Sequence, residues 1–421
     1  MSGFLFRCRY LLGLFVCLAT GYLHASPPNP QLLQELPAPP LIEPGYAPGP
    51  EAEKDVRGLW MEMAEAEKSL RRSPLVLDDP VINDYVKKIA CQVSHSYCND
   101  LRVYVVRSPA FNASIAPNGL MLVNTGLLVR MTSTDHVAAV LGHEFAHYTQ
   151  THSLQLLRNA KRNFAIGTFV SLFGVPGILA VTGVLSFNRQ QESEADELGA
   201  YYMAAAGYAP EAASRVWQLL EEEEAEALVK RPKGPQFLST HPKPDDRARR
   251  LEAVADRIAG VGHATAEAVA AETSTTEHGT PPGDTRAPLR EQSDTDPLLT
   301  VLQDRYELLM DEQVQQRDPG RLLALLARHE AMGIRPTDVA FYRGEALRVS
   351  GEPEDVTAAM DAYRQALATE HPNPRVFREL GYLEYKHGDR QVAEDYFRSF
   401  LALEPDASDK EMIEFYLGGG W

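Results

Sequence analysis

The sequence predicts an α+β chain, mostly helical, with one small antiparallel sheet and a separate C-terminal array of α-helical repeats. Three observations carry this reading. Residues 101–125 hold β-branched and apolar runs, two of them joined by an Asn-Gly turn. Most of the remaining sequence up to residue 258 has helical periodicity. Beyond residue 296, glycines, alanines and aromatics recur at a fixed spacing. The 421 residues leave room for two or three domains.

Taken in order, Arg7 and Arg9 precede the apolar run 10–19, and Leu23-His24-Ala25 offers a cleavage point. Residues 1–25 are therefore expected to be a signal peptide, which implies export and a periplasmic location. A permanent anchor is the alternative, although the run is short for a span. The net charge is −17, and loss of Arg7 and Arg9 takes it to −19. Such an acidic chain argues against nucleic acid as a partner, because phosphate binding needs clustered Lys and Arg. Cys8 and Cys17 would leave with the signal. Cys91 and Cys98 remain, either as a disulfide or as two buried thiols.

Residues 26–50 are Pro-rich and read as an extended tether. Helices are expected at 51–72 and 80–93, and a strand at 101–107. A hairpin should form from 111–116 and 120–125 around Pro117-Asn118-Gly119. A helix follows over 133–157, capped by Ser133 or Thr134, with Val137, Val140, Leu141 and Phe145 as its buried stripe. Residues 164–187 lack charge, but Gly174, Pro176, Gly177 and Gly183 interrupt them. They read as a helical hairpin, either buried or touching a membrane surface. Helices at 190–206 and 210–229 come next. Residues 259–296 read as a flexible linker. In the last stretch, 297–421, Phe377, Leu380, Gly381, Gly388, Ala393, Phe397 and Pro405 fall at tetratricopeptide spacings. Tyr363 and Phe397 are one 34-residue period apart. Such repeats form an interaction surface.

The chemistry lies in His143-Glu144-Phe145-Ala146-His147. Two histidines four apart share a helix face and can bind one ion, and Glu144 beside them can act as general base. The pattern alone arises by chance in roughly one chain of this length per hundred. A catalytic zinc typically takes a third protein ligand. Gln150 and Ser153 exclude the variant in which a Gly turn carries a third histidine six residues after His147. Glu192 on a later helix can supply it, with Asp196, one turn on, orienting His143 or His147. Glu194 is the decoy one position off. A single membrane crossing at 164–187 would separate the two halves of this site.

His143-Glu144-x-x-His147, followed by Arg189-Gln190-Gln191-Glu192-Ser193-Glu194-Ala195-Asp196-Glu197-Leu198-Gly199, resembles the gluzincin family that contains the CAAX prenyl proteases and HtpX-type proteases. The resemblance implies a zinc metalloprotease domain over 51–258, with one Zn2+ per chain held by His143, His147 and Glu192. Export, a soluble body and C-terminal repeats resemble a periplasmic branch of that family. The branch implies cleavage of unfolded or misassembled polypeptides in outer-membrane protein quality control, with the repeats docked on the barrel-assembly machinery. Ser239-Thr240-His241-Pro242 also resembles a family motif, making His241 a regulatory fourth ligand. Arg247 would support the site or anchor the turn. Strand 120–124 is read as an edge for extended substrate or as an ordinary core strand. His95, His136 and His152 are read as structural. Two alternatives are a chaperone or adaptor acting through the repeats, and a membrane-associated protease.

Overall fold

The computed structural model describes residues 28–163, 187–226, 241, 246–273 and 295–418. The expected signal peptide, the uncharged segment up to residue 186 and the neighbours of His241 lie outside the described residues. Among the described residues, no helix is long and apolar enough to cross a membrane.

Residues 28–50 depart from the expected tether. They carry a 3-10 turn, Pro30–Gln34, and lie pinned along the domain. Asn29 N donates to Ala205 O at 2.9 Å and Leu41 N to Thr149 O at 2.9 Å. Leu32 and Ile42 are buried. A Pro-rich segment loses little backbone entropy on docking, so a few apolar contacts suffice to hold it.

Helices α1 (Lys54–Leu70) and α2 (Pro80–Ser94) follow. Asp79 caps α2 by accepting from Ile82 N at 3.0 Å. Cys91 and Cys98 are joined as a disulfide, with their Cα atoms 4.5 Å apart. Strands β1 (Arg102–Val106), β2 (Ala113–Ile115) and β3 (Leu120–Asn124) form one sheet in the order β1-β3-β2. The β2–β3 hairpin is antiparallel as expected, with Gly119 at φ +78. However, β1 pairs with β3 in parallel, Arg102 opposite Leu120, so the sheet is mixed. Strand β3 is central and cannot be the substrate edge. All five of its residues are buried, as suits a strand covered on both faces.

After α3 (Thr125–Leu128) comes α4 (Thr134–Thr149), capped by the Ser133 hydroxyl, which accepts from His136 N. Every residue of α4 is buried, not just one stripe. The helix does not reach residue 157. Thr151 adopts φ +55, and the chain restarts as α5 (His152–Asn163). Helix α6 (Arg189–Ala205) opens with an Asn188–Gln191 capping box. It is followed by α7 (Ala212–Ala225) and α8 (Arg247–Thr273). Helix α8 continues past residue 258 into the stretch expected as linker.

The C-terminal part has eight described helices: α9 (Pro297–Asp304), α10 (Tyr306–Val314), α11 (Pro319–Ala331), α12 (Pro336–Ser350), α13 (Asp355–Ala366), α14 (Arg375–His387), α15 (Arg390–Leu403) and α16 (Lys410–Leu417). Helices α12 and α13 pack as one pair, α14 and α15 as another. Gly344 faces the Tyr363 ring in the first pair, and Gly381 faces the Phe397 ring in the second. One apolar core runs from Phe145 on α4 to Leu302, Leu326 and Phe341. Polar contacts reinforce it: Asp296 accepts from Thr134 N at 3.0 Å, and His329 Nε2 donates to Val129 O at 2.7 Å.

Candidate metal centre

Helix α4 crosses α6 at two glycines. A Cβ on Gly142 would sit 2.8 Å from Gly199 O, and one on Gly199 would sit 2.7 Å from His143 N. Only hydrogen fits at this crossing. His143 and His147 therefore lie against the face of α6 that carries Glu192 and Asp196.

His143, His147, Glu192 and His241 converge, with donor atoms all within 4.8 Å of one another. His143 Nε2 is 3.1 Å from His147 Nε2 and 3.2 Å from His241 Nδ1. Glu192 Oε1 is 3.4 Å from His147 Nε2 and 2.8 Å from His241 Nδ1. Donors around a tetrahedral zinc with bonds near 2.0–2.1 Å are separated by roughly 3.3 Å. The observed spacings, from 2.8 to 3.4 Å, lie around that value. One Zn2+ fits this set.

The electrostatics agree. Burial holds the His143 and His147 imidazoles below their ordinary pKa, which favours the neutral form a metal takes. Burial alone would raise the Glu192 carboxyl, but His241, His147 and His143 outweigh it and hold it below its ordinary value. Burial likewise opposes a charge on His241, yet Glu192 and Glu144 together raise it. Glu144 is buried, with no hydrogen bond to Oε1 among the described residues. Its carboxyl is pushed up to about 8, by burial first and by Glu192, against His241 and Arg247. A bound cation opposes that rise.

Asp196 Oδ1 lies 3.0 Å from His143 Nδ1, so of the two histidines considered it braces His143. Arg247 is buried and spans both carboxylates, through Nη1 to Glu192 Oε2 at 2.9 Å and through Nη2 to Asp196 Oδ1. Its guanidinium rests 3.6 Å over the Trp217 ring. Ser239, Thr240 and Pro242 lie outside the described residues. His95 meets Tyr202 O at 3.0 Å and His136 meets Thr132 and Ser133. His152 does not stand apart from the site. Its Nδ1 is 3.0 Å from His147 Nδ1.

Residues 77–255 match the model of Peptidase family M48. The beta-barrel assembly-enhancing protease of Escherichia coli O157:H7 is 27% identical over 199 residues, 43% of this chain and 40% of its own length. The mitochondrial metalloendopeptidase OMA1 of Schizosaccharomyces pombe is 31% identical over 182 residues, 40% of this chain and 51% of its own. That of Arabidopsis thaliana is 32% identical over 183 residues, 42% and 36%. The match thus spans about half the length of these relatives or less. Over that stretch the family read from the motifs is borne out.

Proposed function

We propose that this chain, whose residues 77–255 carry the M48 peptidase match, is an exported zinc endopeptidase that cleaves unfolded or misassembled polypeptides. The single observation that carries the reading is the buried His143, His147, Glu192 donor set with Glu144 beside it. When bound, zinc supplies a Lewis acid for the scissile carbonyl and lowers the pKa of water. Glu144 takes the proton from the attacking water and hands it to the departing amine. Asp196 fixes the His143 tautomer, and Arg247 holds Glu192 and Asp196 in register. Strand β2 pairs with no other strand than β3 among the described residues, so its outer side is the candidate edge for an extended substrate, which would have to displace the Ser153 hydroxyl from Ile115 O, 2.7 Å away.

His241 closes the site at rest. Its Nδ1 supplies a fourth donor, and its Nε2 stands 3.5 Å from Glu144 Oε1. One imidazole thereby fills the substrate-side position and engages the base. The Cys91–Cys98 disulfide supports an oxidising compartment such as the periplasm. The paired C-terminal helices support a tetratricopeptide-type partner surface. Likeness to the barrel assembly-enhancing protease makes the outer-membrane assembly machinery the partner we favour.

Glu144→Gln is the test. The purified variant should keep one zinc per chain and lose cleavage of an unfolded protein by at least about 100-fold, the usual size of a lost general base. Parent-like cleavage would refute the reading.

A further inference from the structure

We propose that His152 is a positioning residue for His147, held in turn by Glu194. The inference rests on the zinc-site reading above and extends it. His147 directs Nε2 into the donor set, so its proton sits on Nδ1. That N–H points at His152 Nδ1, 3.0 Å away. His152 can accept there only with its own proton on Nε2, and Nε2 faces Glu194 Oε2 at 3.4 Å. The chain of contacts therefore ends on a carboxylate and fixes both tautomers. His143 has the shorter version, a direct contact to Asp196. Three carboxylates of α6 thus serve one centre: Glu192 as donor, Asp196 behind His143, and Glu194 behind His147 through His152.

The backbone supports the same assignment. Thr151 is β-branched and holds φ +55, a conformation such residues rarely adopt. This kink ends α4 and turns His152 back onto His147; a continuous helix would carry it away. The kink is braced by Leu41 N on Thr149 O and by Gln150 Nε2 on Pro39 O at 3.0 Å. Strain of this kind persists where surrounding contacts enforce it. His152 is 3% exposed and Phe187 lies near its ring.

The test uses the full chain and measures zinc affinity by chelator competition together with kcat and KM on an unfolded substrate. His152→Phe keeps a ring but no acceptor. It should weaken zinc about 10- to 100-fold and lower kcat, leaving KM within twofold. His152→Asn restores an acceptor near the Nδ1 position and should recover most of the affinity. Glu194→Gln, at a partly exposed side chain, should give a smaller loss in the same direction, and it reports even where His152→Phe does not fold. Parent-like zinc affinity in Glu194→Gln and in every folded His152 variant overturns the assignment and leaves the site reading intact. A parent chain that binds no zinc overturns the site reading itself.

Discussion

Gly199→Ala tests whether the α4–α6 crossing sets the geometry of the centre. The added methyl would lie 2.7 Å from His143 N and 2.8 Å from His143 Cα. Both are backbone atoms, with no rotamer to yield. An ordinary contact of about 3.6 Å requires the helices to part by roughly 0.9 Å at this point. Glu192 lies two turns earlier on the same helix and moves with it. Metal sites tolerate displacements of only about 0.2 Å. The expected outcome is a stability loss of about 1–3 kcal/mol from overpacking. Zinc affinity should also fall about 10- to 100-fold, because Asp196 and Glu192 shift together. Thermal melts of the zinc-free chain give the first quantity, and chelator competition the second. A variant that holds zinc as tightly as the parent, whatever its stability, would refute the claim that this contact positions the donors.

Arg247→Met removes the cation between Glu192 and Asp196, and breaking a buried pair costs about 3–5 kcal/mol. Zinc supplies compensating charge at Glu192, so melts with and without metal should show a larger loss in the zinc-free chain; equal losses would count against this account. His329 is fully buried, donating to Val129 O and accepting from Tyr306 Oη at 2.8 Å. Burial, with Arg328 and Arg130 assisting, lowers its pKa to about 4. The folded pKa is the depressed one, so its contribution is present above pH 6.5 and is lost as pH falls towards 4. Between pH 7 and pH 5 the parent should lose roughly 2 kcal/mol more than His329→Gln in denaturant unfolding. Parallel pH profiles would show that His329 takes up its proton alike in the folded and unfolded chain, and would refute the depressed folded pKa.

The parts of the site legible in the sequence were those with local spacing. His143 and His147, or Glu192 and Asp196, meet because residues four apart share a helix face. His152 has no matching partner in the motifs and reads as structural, because its contact depends on a reversal at Thr151, where no glycine or proline announces a turn. The central position of β3 was readable in principle. Leu120-Met121-Leu122-Val123 is a continuous apolar run, and such runs mark strands covered on both faces. The docking of residues 28–50 and of the C-terminal helices was not readable, because it rests on single long-range contacts such as Leu41 to Thr149 and Asp296 to Thr134.

Those long-range contacts explain why a helix so poor in surface polarity can carry a metal site. Helix α4 is buried along its whole length, so its terminal N–H and C=O groups cannot rely on water. At the N-terminus, Ser133 satisfies His136 N, and Asp296 from the C-terminal part takes Thr134 N and, at 2.6 Å, Thr134 Oγ1. The same carboxylate accepts from Leu298 N and so caps α9. At the other end, Leu41 N takes Thr149 O. Segments from before and after the peptidase match therefore supply hydrogen bonds to both ends of the helix that holds His143, Glu144 and His147. The donor spacing follows from a helix clamped at both ends and crossed at Gly199, not from the five-residue motif alone.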